Sequence, residues 1–112
     1  MKKIISLLPF VLVLLWQSSA LAATQAQLDA ISPMGKLNGI ALQCRYVEQM
    51  QRIKMSLVLH LPKQRELGDW FEQTTNSSFL DFMNKDLSCP DINLFEQQID
   101  AAIKQVATTF KQ

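Results

Sequence analysis

From Lys36 to Leu61, apolar residues return every three or four positions: Leu37, Ile40, Ala41, Cys44, Val47, Met50, Ile53, Leu57 and Leu61. That period lines one side of a helix, and it predicts a single long helix that ends at Pro62, whose ring interrupts the hydrogen-bond ladder. Pro62 also suits the first turn of a following helix, in which Leu67, Trp70, Phe71 and Thr74 form one stripe and Phe79, Phe82 and Met83 continue it. Between them Thr74-Thr75-Asn76-Ser77-Ser78 has poor helix propensity. Residues 63–87 therefore read as one irregular helix or two short ones, with the single helix preferred.

Ser88-Cys89-Pro90-Asp91 reads as a helix start, with Ser88 as cap, Asp91 reaching back and Pro90 in the first turn. The helix after it has the clearest pattern: Ile92, Phe95, Ile99, Ala102, Ile103, Val106 and Phe110 on one side, Glu96, Gln97, Asp100 and Lys104 on the other. Asp100 and Lys104 stand one turn apart and are expected to pair. Ahead of all this, Pro33, Gly35 and Gly39 break the early pattern, so residues 23–35 read as a lead-in rather than a core element. No strand-like alternation, repeat or linker is present. The expected fold is all-α, a small bundle of three main helices plus a short N-terminal lead-in.

The first 22 residues follow a different logic. Lys2 and Lys3 precede an apolar run, Ile4 to Trp16, and Ala20-Leu21-Ala22 places small residues where a signal peptidase cuts. A retained membrane anchor needs about 20 apolar residues, whereas this run is shorter and contains Pro9. No cysteine stands directly after the cut, the first being Cys44, so no lipid anchor is expected. Residues 1–22 are read as a signal peptide and 23–112 as the helical domain, exported to the periplasm or the medium, with no stable membrane anchor after cleavage.

Export changes the charge. Losing Lys2 and Lys3 takes the basic count from 11 to 9 against 10 acidic residues, a formal −1 in place of +1. A near-neutral chain has no polybasic stripe for phosphate backbones, so nucleic acid and anionic membrane surfaces are not expected partners. Export also places Cys44 and Cys89 where thiols oxidise, and an even pair in a small exported domain reads as a disulfide.

No catalytic set emerges. The one histidine, His60, lies between two leucines near a predicted helix end, where a cation is favourable in any case. Glu66, Asp69 and Glu72 alternate with Lys63 and Arg65 as a charged surface does, and about 90 helical residues leave little room for a cleft between two carboxylates. Met50, Met55 and His60 carry soft ligands, but steps of five residues turn each side chain about 140° past a full turn. Neither a metal nor a cofactor is expected, and the protein does not read as an enzyme.

The aromatics of the second long helix, Trp70, Phe71, Phe79 and Phe82, are the best candidates for a partner-binding groove. The expected function is that of an exported protein-binding protein, a chaperone, assembly factor or inhibitor acting on another exported or envelope protein. A carrier of a small apolar ligand or metal is the alternative. In mature length and its two well-separated cysteines the chain resembles acid-stress periplasmic chaperones, and in plan secretin pilotins and small periplasmic immunity proteins. That resemblance carries no functional residue with it. Thiol titration of the exported protein unfolded without reductant is expected to find no free cysteine; one or more reactive thiols per chain would remove the staple.

Overall fold

A computed structural model describes residues 22–111; residues 1–21, which hold nearly all of the expected signal peptide, lie outside that range. The described residues are all-α, with four helices rather than three and a lead-in: α1 (Gln25–Cys44), α2 (Val47–His60), α3 (Arg65–Asn84) and α4 (Ile92–Thr109). A disulfide joins Cys44 to Cys89 across 45 residues of sequence.

The expected lead-in is instead the first half of the central helix. Thr24 caps α1 in a reciprocal box, its hydroxyl accepting from the Gln27 N–H while the Gln27 side chain accepts from the Thr24 N–H. Pro33 then lies inside α1, where a proline costs about 3 kcal/mol. Burial offsets that. Ile31 and Met34 are wholly enclosed, and each such side chain contributes about 1.5–3 kcal/mol. Pro33, Gly35 and Gly39 mask the apolar positions around them, because their local cost is visible in the sequence and the burial that offsets it is not.

The expected long helix over 36–61 is also two helices. Arg45 takes a left-handed conformation (φ 60°), Tyr46 N–H reaches back to the Ala41 carbonyl at 2.9 Å and Arg45 N–H to Leu42 at 3.3 Å. This is a Schellman end built without glycine. The turn shifts the phase of the apolar pattern, so Val47 is exposed although it falls on the stripe, while Ile53 and Leu57 remain in the core. It also swings Tyr46 toward α4, where its hydroxyl donates to the Pro90 carbonyl at 2.8 Å and its ring meets Phe95 at 5.5 Å between centroids.

The segment 63–87 does form one helix, α3, continuous through the Thr-Thr-Asn-Ser-Ser run. Its small side chains lie against the glycines of α1. A Cβ on Gly39 would stand 2.6 Å from the Thr75 carbonyl oxygen and 2.7 Å from the Phe79 nitrogen, and a Cβ on Gly35 would collide with the Thr74 side chain. Such an approach of two backbones is open only to glycine. Across it Ser78 donates to the Lys36 carbonyl at 2.7 Å and Asn38 to the Thr75 hydroxyl at 3.3 Å. Tertiary packing thus overrides the poor local propensity.

At the start of α4 the cap is Asp91, not Ser88. The Asp91 carboxylate accepts from the N–H groups of Asn93 and Leu94 at 3.0 and 3.2 Å, leaving Ser88, Cys89 and Pro90 in the preceding loop. An Asp at the cap is as good as a Ser, and Cys89 is held by its bond to Cys44. Asp100 likewise turns from Lys104 to Arg52 on α2, which bridges it to Glu96. The neighbouring helix offers a guanidinium that can span both carboxylates.

Close backbone approaches join α1 to each of the other helices and α2 to α4. None joins α3 to α2 or to α4, so α3 is seated on α1 with a gap on either side. Gly39→Ala is expected to lose about 3 kcal/mol in denaturant unfolding, the upper end for overpacking, because backbone atoms rather than a rotatable side chain oppose the new methyl. Gly68, with nothing near its missing Cβ, is the control: Gly68→Ala should hold or gain up to about 1 kcal/mol. Equal effects at the two positions would show that helix propensity, not the α1–α3 approach, sets the cost.

Candidate functional site

The four aromatic residues expected to bind a partner do not share one surface. Trp70 is half-buried, and its indole N–H donates to the Leu28 carbonyl at 3.1 Å and the Ser32 hydroxyl at 2.9 Å, both on α1 just before Pro33. Its ring packs on the core. Phe79 is also half-buried, beside the Gly39 crossing. Phe82 is buried at the mouth of the gap between α3 and α4, and Phe71 faces the gap between α3 and α2. The helix thus spreads its aromatics around three sides of its seat.

The α3–α4 gap is a groove of about 580 Å³ with α1 as its floor. Leu37, Ile40 and Pro33 form the base, Phe82 and Leu87 one wall, Ala101 and Ala102 the other. The α2–α3 gap is larger, about 710 Å³. Leu57, Leu61, Leu67 and Phe71 supply apolar lining, and Lys54, Lys63 and Arg65 stand on its rim against the single carboxylate of Glu72.

Beside that second groove lies a feature the sequence reading did not assemble. Met55, Val58 and Leu59 are 61%, 76% and 71% exposed. Their spacing puts them on one outward stripe of α2, opposite Ile53 and Leu57, which are in the core. Val58 belongs both to the stripe and to the groove lining. The signal was present in the sequence: these three apolar residues fit no inward position once Ile53 and Leu57 are placed, and a helix of 14 residues has no second core to serve. His60 ends α2 in its last turn, half-buried.

Among the described residues three buried side-chain oxygens lack partners, those of Asn38, Ser56 and Gln64. Asn38, 2% exposed, donates to Thr75 while its carbonyl oxygen meets no donor, and the Ser56 hydroxyl on the inner side of α2 has none. Among the described residues no cluster of three or more His, Cys, Asp or Glu side chains is placed to hold a metal ion, and no helix is long and apolar enough to cross a membrane. Met50 is half-buried and Met55 exposed, on different sides of α2.

Comparison with known proteins finds no match: no family model, no curated protein and no solved structure is similar to this chain.

Trp70 tests whether the aromatic helix is structural at its N-terminal half. It is the only tryptophan of the chain after Trp16, so its fluorescence reports the α1–α3 contact in a processed protein. Trp70→Phe keeps most of the ring area and removes the N–H; a loss of about 1 kcal/mol is expected in thermal unfolding, the usual net value of a hydrogen bond. An unchanged melting curve would mean that the indole N–H contributes nothing to the seat.

Proposed function

We propose that this chain is an exported, non-enzymatic protein-binding protein of the chaperone, assembly-factor or inhibitor kind. Its docking surface is the α2–α3 groove together with the Met55–Val58–Leu59 stripe. The stripe carries the reading. Three large apolar side chains at helical spacing stand in water beside an open apolar groove, and covering such a side chain yields about 1.5–3 kcal/mol before the costs of association.

The rim chooses the occupant. Lys54, Lys63 and Arg65 surround the groove with Glu72 as the only acid among the lining residues. A partner segment with apolar side chains one helical turn apart and carboxylates at its flanks matches both features, in the manner of an amphipathic helix laid in a groove. The partner is another exported or envelope protein. A disulfide and the lack of a membrane-crossing helix among the described residues are compatible with that compartment.

The α3–α4 groove favours a second reading, carriage of a small apolar ligand over Leu37, Ile40 and Phe82. Native mass spectrometry of protein isolated from its host separates the two. A copurifying small molecule that is lost in Ala101→Phe, at an exposed position of the groove wall, supports the carrier; a bare chain supports the protein binder.

A photocrosslinking residue at position 58 is expected to trap one envelope protein, with the yield falling as salt rises toward 1 M. Leu59→Asp and Lys63→Glu should each cut capture at least tenfold while the melting temperature stays within about 2 °C, because both residues are exposed. Capture unaffected by either substitution would overturn the assignment of the groove.

A further inference from the structure

Ala22 is exposed, whereas Ala23 packs against the core, and its backbone nitrogen donates to the Glu66 carboxylate on α3 at 3.0 Å. Thr24 follows as the cap of α1. The docked nitrogen is thus the one directly after Ala20-Leu21-Ala22.

We propose that the chain is cut between Ala22 and Ala23, and that the α-ammonium so created is a structural group of the mature fold, held by Glu66. This rests on the export reading and is independent of what the grooves bind. Hydrolysis adds water across the Ala22–Ala23 peptide bond. The Ala22 carbonyl carbon takes the oxygen and leaves with the leader as a carboxylate, and the Ala23 nitrogen becomes an ammonium at neutral pH. The catalyst is an endoprotease that recognises small side chains at the first and third positions before the cut.

Two registers in the sequence offer such a pair: Ser18 with Ala20, and Ala20 with Ala22. They differ in what they leave at Glu66. A cut after Ala20 keeps the Ala23 nitrogen as a neutral amide with one hydrogen and adds Leu21 and Ala22 as an overhang. A cut after Ala22 gives that nitrogen a full charge where the carboxylate already stands.

The electrostatics of α1 explain why the carboxylate matters. An ammonium one residue ahead of a helix cap faces the positive end of the helix dipole, an unfavourable pairing. The usual remedy is an acidic side chain in the first turn, and α1 has none. Glu66, supplied by the first turn of α3, takes that place and opposes both the ammonium and the dipole. It also links the two N-terminal ends of the α1–α3 pair, more than 40 residues apart in sequence.

The first test is the N-terminus of the protein recovered after export of the full chain, read by intact mass and terminal sequencing. Ala23 is the expected start; Leu21, or an uncut chain, overturns the proposal. The second asks whether the charge is used. Chains beginning at Ala23 and at Leu21, each with Glu66 and with Glu66→Gln, are compared by thermal unfolding. The substitution retains an acceptor oxygen and removes only the charge. It is expected to lower the melting temperature by about 2–5 °C in the Ala23 chain, and by less than half as much in the Leu21 chain. The difference should shrink in 1 M salt. Equal shifts in both chains would show that Glu66 serves an amide and that the ammonium has no structural part.

Discussion

The close approach of α1 and α3 at Gly35 and Gly39 governs the rest of the molecule. Without side chains at those two positions, the backbones meet near van der Waals distance, and Thr75, Ser78 and Phe79 fit where a larger stripe would hold the helices apart. Dispersion between close-packed atoms and the two hydrogen bonds across the crossing stand in for the large apolar interdigitation usual in a bundle. The arrangement is demanding of sequence. It also fixes which partners α3 can have, because a helix seated so deeply on α1 is drawn away from α2 and α4, and the two grooves are the space left over.

The other side of α1 is held by different means. Cys44, at the last turn of α1, is bonded to Cys89 in the loop before α4, and Tyr46 reaches the same loop at Pro90. In a chain-entropy account a bridge over 45 residues contributes about 4 kcal/mol. On the outer surface Arg52 joins Glu96 and Asp100, while Gln49 donates to Glu96 at 2.6 Å. The α1–α2–α4 side is therefore tied by a covalent bond and ion pairs, and the α1–α3 side by close packing and hydrogen bonds. A partner that grips the α2–α3 groove touches one element from each.

Much of this was legible before any coordinates. The all-α class, the pairing of the cysteines, the continuity of α3 and most of the inward face of α4 follow from period and the expected compartment; Ile92, which its spacing puts on that face, is exposed. What failed was punctuation. Pro33, Gly35 and Gly39 were read as interruptions because local propensity penalises them, yet in the fold Pro33 is tolerated and the glycines are the contact itself. Arg45 gave no warning of a helix end, since a left-handed cap is normally announced by glycine or asparagine. Both errors have one cause: a single sequence shows the local cost of a residue and hides the tertiary gain that offsets it. The candidate site suffered likewise. Trp70, Phe71, Phe79 and Phe82 share a helix, but only the crossing angle and depth of α3 decide which of them can meet a partner, whereas Met55, Val58 and Leu59 were visible as apolar residues with no inward place.

Two cysteines admit one pairing within a chain. In a chain that emerges N-terminus first, Cys44 appears with its partner 45 residues behind, so the first thiol waits, unpaired, until α2 and α3 have followed. No wrong intrachain bond can form in that interval and none needs to be undone later. Maturation in an oxidising compartment then calls for an oxidant but no isomerase, and the oxidised chain that results is a single covalent species.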